Sequence, residues 1–378
     1  MNTWIRPGLI FVLALLSVQA FTQRHPEKVA STISNEEALI WESGTDAYFE
    51  EQIESSPAAA AQYHANEQLL LHQHRYNSLP GSRSGGFSIP VVVHIVHDQN
   101  GISNIPNSQV YSALNHLNQA FANQTPFNSP DGVDNEITFC LAQRDPLGDS
   151  TLGITRSAST LTFLTRETQD SSLKALKFWP SDDYLNIWVV ASITSNAFGP
   201  SITGYTTLPF NHGNSRDGIV VEANFFGTSP DRSKVLVHEA GHYLGLHNTF
   251  YGGCDNTNCQ TSGDKVCDTP PDGSTANANG FVNSCLTDED DPSPLNPFRS
   301  TALGGLGDQP DQIENYMDKG DLRVQTRFTP GQKDRMHSQL QLFRSSLLDS
   351  RSCLPPCPAS ISASFTAPQQ LLVTLLNC

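Results

Sequence analysis

The chain is poor in positive charge: 22 Lys and Arg stand against 38 Asp and Glu in 378 residues, a formal net charge of −16. That scarcity leaves no basic patch for a phosphate backbone and excludes a nucleic-acid-binding surface. Long apolar runs are also wanting. Leu9 to Val18 is the strongest, well short of the ~20 residues that a spanning helix needs. With Arg6 ahead of it and Val18-Gln19-Ala20 behind, it reads as a signal peptide over 1–20, the alternative being a short membrane anchor. The mature chain is then expected to be secreted, outside any membrane and monomeric. Cysteine is sparse too, eight in all, too few for a knottin-like scaffold.

What the sequence does hold comes in blocks. Residues 21–86 mix charges with small residues, contain no cysteine, and end in the hinge-like Ser82-Arg83-Ser84-Gly85-Gly86. They read as a propeptide, the alternative being a disordered linker or small accessory domain, and without a thiolate a propeptide would have to cover a site by bulk, carboxylate or imidazole. Ile89 to His97 is a strand rich in β-branched residues. Val110, Ala113, Leu114, Leu117 and Phe121 then fall on one helical stripe, which is ordinary core packing. Further strands are expected at Ile137–Ala142, Leu185–Val190 and Gly218–Glu222. The alternation predicts an α/β chain leaning to α+β, with a mostly parallel twisted sheet. His94, His97, His116 and His212 have no partner at metal spacing and are read as structural.

The chemistry gathers at Val237-His238-Glu239-Ala240-Gly241-His242-Tyr243-Leu244-Gly245-Leu246-His247-Asn248. Ser229-Pro230 supplies a cap and a first-turn proline for a helix here. On that helix His238 and His242 stand one turn apart on one face, spaced to grip a zinc ion, and Glu239 is placed to take a proton from a metal-held water. Gly245 can take positive φ, so the chain can turn and offer His247 or Asn248 as a third ligand.

Tyr251 to Asp308 is a long irregular stretch, unusual unless stapled or ion-bound. Cys254, Cys259, Cys267 and Cys285 are candidates for two disulfides, in any of three pairings, with a four-thiolate zinc site as the alternative. Asp255, Asp264, Asp268 and Asp272 are candidate calcium ligands, although they do not fit the twelve-residue calcium loop. Thr329-Pro330-Gly331-Gln332 signals a capped last helix that closes the domain near residue 350. Residues 351–378 are a linker or the start of a truncated module.

His238 to Phe250, followed by Asn315-Tyr316-Met317-Asp318, resembles the pappalysin-type metzincin metalloproteases, in particular ulilysin-like bacterial secreted members. The resemblance runs over roughly residues 88–346, through Gly153-Ile154-Thr155-Arg156, Tyr184-Leu185-Asn186-Ile187-Trp188, Asp268-Thr269-Pro270 and Phe328 to Gln332. It implies a metzincin catalytic domain over 87–350, with an upper lobe at 87–245 and a smaller irregular lower lobe at 246–350. It further implies a Met-turn at Met317, disulfides and calcium in the 251–308 loop, and endopeptidase activity on protein or peptide substrates. Two positions depart from the family pattern. Asn248 stands where the third histidine belongs, with His247 one place early. Lys319 stands where the family has an oxyanion-stabilising tyrosine, and its ammonium could serve as a point charge. The expectation is a secreted zinc endopeptidase with Glu239 as general base and Lys319 beside it. The alternative is a catalytically impaired or inactive extracellular module on the same fold, and a third reading is a metal-dependent esterase or amidase.

Overall fold

A computed structural model describes residues 39, 41–76, 86–196, 199–273 and 283–356. The signal peptide, most of the 82–86 hinge and residues 357–378 of the tail lie outside the described residues. The chain from Glu37 onward forms one compact unit.

Its centre is a six-stranded sheet built on β1 (Phe87–His97). The first half of β1 pairs with β2 (Ile137–Leu141) and its second half with β3 (Ile154–Ala158), both in parallel. On its other side lie β5 (Leu185–Val190) and then β9 (Ile219–Glu222), again parallel. β8 (Gly204–Thr206) closes that edge antiparallel to β9. A separate three-stranded sheet joins β4 (Phe163–Thr165), β6 (Ser192–Ser195) and β7 (Gly199–Ile202). The Val- and Ile-rich strands are buried on both faces, as a parallel sheet covered on both sides requires.

Alternation along the strands sorts the two faces. Val91, Val93 and Ile95, with Leu185, Ile187 and Val189, pack against α3 (Asn107–Phe121) and α5 (Pro230–Tyr243). Val96, Trp188, Val190 and Val220 face the other way, onto Leu173 of α4 (Arg166–Leu176). Tyr48 of α1 (Thr45–Ser55) joins this second cluster. The segment 21–86 thus contributes two helices, α1 and α2 (Pro57–Tyr76), that pack on the core. Composition alone shows no apolar face on them, because each buries only a few large side chains.

Below the sheet the chain is irregular. The described residues of the 251–308 stretch form turns and two single-turn helices, closed by the pairs Cys254–Cys285 and Cys259–Cys267. A third pair, Cys140–Cys353, joins β2 to the segment beyond α7 (Ser345–Asp349) and was not drawn from the sequence. At the start of α6 (Pro330–Phe343), Thr329 Oγ1 accepts from Gln332 N and the Gln332 side chain accepts from Thr329 N, a complete capping box.

Candidate functional site

The cleft lies between β8 and α5. Ser229 Oγ accepts from Arg232 N to start α5, and Pro230 fills its first position. The helix ends at Gly245, whose φ of +89° lets Leu246 N reach back to Gly241 O at 3.0 Å. A Cβ at Gly245 would also strike Gln339 of α6.

His238 and His242 present adjoining rings from one face of α5, with centroids 4.6 Å apart. His238 Nδ1 donates to Tyr316 O at 2.7 Å and His242 Nδ1 to Leu246 O at 2.9 Å. A carbonyl only accepts, so both Nδ1 atoms carry the hydrogen and both Nε2 atoms carry lone pairs. The two Nε2 atoms lie 2.9 Å apart. Burial holds both rings neutral, pushing His242 down to about 4 and His238 well below its usual value, the latter also because of His242. Met317 is wholly buried, with its sulfur against Gly241, and its carbonyl accepts from Thr249 N.

These two imidazoles are not joined by a third ionisable donor. His247 turns away: its Nε2 meets Tyr63 Oη at 2.8 Å, and its ring stacks on Tyr251 at 4.3 Å. Asn248 directs its Nδ2 to Asp46 Oδ2 at 2.6 Å and leaves its buried Oδ1 without a hydrogen-bond partner. Among the described residues no group of three or more His, Cys, Asp and Glu comes together to hold a metal ion. A catalytic zinc takes three protein ligands, so the residues present do not fit that group. The zinc site expected at His238, His242 and His247 or Asn248 is corrected on this ground. With it go the endopeptidase assignment and the zinc-water role of Glu239.

The calcium expectation is corrected in the same way, because each carboxylate is occupied locally. Asp255 accepts from Thr257, and Asp264 from Thr269 Oγ1 and Val266 N. Asp268 accepts from Thr329 Oγ1 and Gly331 N, and Asp272 from Ser284 Oγ. The four act as loop and cap anchors and do not converge.

The cleft is lined instead by contacts that no sequence motif announced. Residues Trp41–Asp46 run through it, with Ser43 bridged in parallel to Gly204 of β8. Gly44 N donates to Gly204 O at 2.8 Å, and Thr203 N to Glu42 O at 2.8 Å. Glu239, fully buried, accepts from Ser43 Oγ at 2.8 Å and from Thr45 Oγ1 at 2.7 Å. Burial pushes its carboxyl up to about 8; the two hydroxyls oppose that rise and the Asp46 charge adds to it. Trp41 lays its ring edge-on against His238 at 4.6 Å and donates from Nε1 to Gly320 O. Glu42 meets the Lys319 ammonium at 2.6 Å. A cavity of about 160 Å³ remains between Trp41, Asp46, His238, Asn248 and Lys319. Local hydroxyl and acid side chains in 41–46 were the available signal, but nothing in their spacing marks them.

Comparison with known proteins places this architecture. A family model described as Pregnancy-associated plasma protein-A matches residues 167–341. Extracellular metalloproteases of Verticillium alfalfae and Pyricularia oryzae are each 34% identical, over 174 and 171 residues, covering 43% of this chain and 50% of each relative. The chain thus spans about half the length of the curated relatives it matches. Mouse pappalysin-1 is 28% identical over 151 residues, 38% of this chain and 8% of that protein. Among solved structures, a promirolysin variant of Tannerella forsythia superposes with a TM-score of 0.61 at 25% identity, covering 82% of this chain and 97% of that one. Mature mirolysin in complex with a cleaved peptide gives 0.51 at 27%, covering 70% and 99%.

The mixed, largely parallel sheet and its helices are the fold of the metzincin metalloproteases. More narrowly, residues 167–341 are similar to the pappalysin family. Like its extracellular relatives it is a secreted protein. No described helix is long and apolar enough to cross a membrane.

Proposed function

We propose that this chain is an extracellular peptide-binding member of the pappalysin family that does not hydrolyse by the zinc route. Its cleft takes an extended polypeptide along the β8 edge, and residues 41–46 of the chain itself are the resident ligand. The observation that carries the reading is the pairing of Ser43 and Gly44 with Gly204, beside a histidine pair that lacks its third donor. Main-chain pairing to a sheet edge is a general way of holding peptides with little regard for their sequence. Mirolysin, a structural relative, is known in complex with a cleaved peptide, which supports a peptide as ligand.

Residues 41–76 act, on this reading, as a cover for the cleft. The likeness to promirolysin spans 82% of the chain and that to mature mirolysin 70%, a difference similar in size to the described N-terminal segment. The partner is a protein or peptide bound by a monomer, and the acidic charge of −16 turns nucleic acid away.

The test pairs a turnover assay with a binding assay. The chain carrying Trp41→Ala and Thr45→Ala is titrated with a labelled peptide of residues 39–50, and the parent chain is incubated with casein. Saturable binding without casein cleavage is expected. Casein cleavage that a chelator abolishes, or a peptide that does not bind, would overturn the proposal.

A further inference from the structure

A second anchor holds the N-terminal segment, at His247. On α2, Tyr63 and Glu67 stand one helical turn apart and face the same way. Both enter a hollow walled by Lys265, from the loop closed by Cys259–Cys267, and by Arg335 of α6. Arg335 Nη2 meets Glu67 Oε1 at 2.8 Å, and Lys265 Nζ meets Glu67 Oε2 at 3.3 Å. Lys265 also donates to Tyr63 Oη and lies over its ring, 4.6 Å from the centroid. Tyr63 Oη reaches His247 Nε2 at 2.8 Å, and its ring meets Phe49 edge-on at 4.8 Å.

The hollow belongs to the core of the protein, and only the occupants come from α2. Arg335 is fixed independently by its Nε bond to Gly245 O at 2.9 Å. Lys265 adopts φ of +63°, a conformation that costs a branched or long side chain energy and that its surroundings must impose. Asp264 feels the Arg335 charge but makes no ion pair with either cation: burial still pushes its carboxyl up to about 8, and its oxygens accept from Thr269 Oγ1 and Val266 N. The described carboxylate that pairs with both cations is Glu67. Two preset, largely buried cations beside an aromatic-lined slot make a receptor for one carboxylate and one phenol. A cavity of about 200 Å³ continues from it between α2 and α6, past Leu70, Leu71 and Val266.

We infer that the Lys265–Arg335–His247 hollow is a peptide-recognition site distinct from the cleft, selective for a helix that presents tyrosine and, four residues on, glutamate. The site rests on the proposed peptide-binding reading and extends it. Residues 41–76 are then a two-point ligand, anchored in the cleft through Ser43 and Thr45 and in the hollow through Tyr63 and Glu67. Cutting the chain beyond α2 leaves this ligand bound, because its hold does not depend on the covalent connection.

The test uses the full chain with a site-specific protease sequence inserted between Gly81 and Ser82. After cleavage, the fragment is followed by gel filtration and by exchange against excess synthetic peptide of residues 41–76. The nicked parent is expected to retain its fragment. Glu67→Gln and Tyr63→Phe are each expected to speed release on the order of tenfold or more, since loss of one partner of a buried charged hydrogen bond acts mainly on dissociation. Lys265→Met, on the opposite wall, should do the same without altering the fragment; melting curves of the nicked proteins establish that each variant is folded. A fragment that leaves the nicked parent during the column run would overturn the inference, as would Glu67→Gln, Tyr63→Phe and Lys265→Met releasing it at the parent's rate. Chelator-sensitive casein cleavage with slow release would sink the proposed function alone. Fast release only from Ser43→Ala or Thr45→Ala would sink the second site alone.

Discussion

Replacing Asp217 by Asn should destabilise the whole cleft, because Asp217 is the counter-ion of a fully buried arginine. Arg344, with no exposed side chain, meets Asp217 through both terminal nitrogens, one at 2.9 Å. Its Nε donates to Tyr243 O at the end of α5, its Nη2 lies 3.4 Å from Thr207 O just past β8, and its plane stacks on Tyr243 at 3.6 Å. One guanidinium therefore ties the end of α5 to the edge strand. Breaking a buried pair by removing one partner costs roughly 3–5 kcal/mol, because the remaining charge is stranded. At about 2–4 °C per kcal/mol for a domain of this size, the melting midpoint at pH 7 should fall by roughly 6–20 °C. The effect must also depend on pH. Burial alone would raise the Asp217 carboxyl, but Arg344, His212 and Thr207 outweigh it and bring it down to about 2 from the usual 3.8. A depressed carboxyl stabilises above its unfolded value and loses that contribution as the pH falls through its folded one. That difference amounts to roughly 2–3 kcal/mol. Urea titrations with the disulfides intact should therefore show a wild-type-to-variant gap that is constant from pH 7 to 5 and narrows toward pH 2. A gap below about 1 kcal/mol at neutral pH, or one that does not change with acid, would refute the account of Arg344 as a charge-paired bolt.

Three further outcomes follow from the site and its supports. Chain purified with zinc in the medium and then dialysed should retain well under one zinc by elemental analysis, and a chelator should leave its melting midpoint unchanged; stoichiometric retention would contradict the two-donor geometry. Replacing Cys140 and Cys353 by Ser opens a loop of 213 residues, which in the chain-entropy account removes roughly 5 kcal/mol, read as a lower urea midpoint under non-reducing conditions. Gly241→Ala brings a Cβ to 2.4 Å from the Met317 sulfur, and should cost roughly 1–3 kcal/mol by forcing the buried methionine aside, seen in thermal unfolding.

The parts legible in the sequence were those written in local pattern. β1, β5 and α3 announce themselves by β-branched runs and a single apolar stripe, and α5 by its cap, proline and terminal glycine. The resemblance to the pappalysins was equally readable, since it rests on several motifs in order. What escaped was long-range. Whether His247 or Asn248 completes a ligand set depends on what each meets across the fold, and those partners, Tyr63 and Asp46, lie about 200 positions away. The four aspartates of the lower stretch looked like cation ligands because composition cannot tell an acid facing an ion from one facing a hydroxyl and an amide. The Cys140–Cys353 pair was invisible for the same reason, as neither residue has a neighbour that marks it.

The distribution of charge argues that the N-terminal segment is part of what the core is built to hold. Lys319, Lys265 and Arg335 stand on the core side of the cleft and the hollow, and the carboxylates that answer them, Glu42 and Glu67, come from the segment. A chain with only 22 cations in total places these three, each at most a quarter exposed, against this single piece. If the segment were incidental packing, removing it would leave these cations without answering acids and strip cover from the buried Glu239 carboxyl, each a costly change in a low-dielectric setting. On the proposed reading, a core so arranged favours an acidic, hydroxyl-bearing polypeptide in the cleft. That preference follows from the lower stretch and the Lys319 turn themselves, whatever chemistry the histidine pair can or cannot perform.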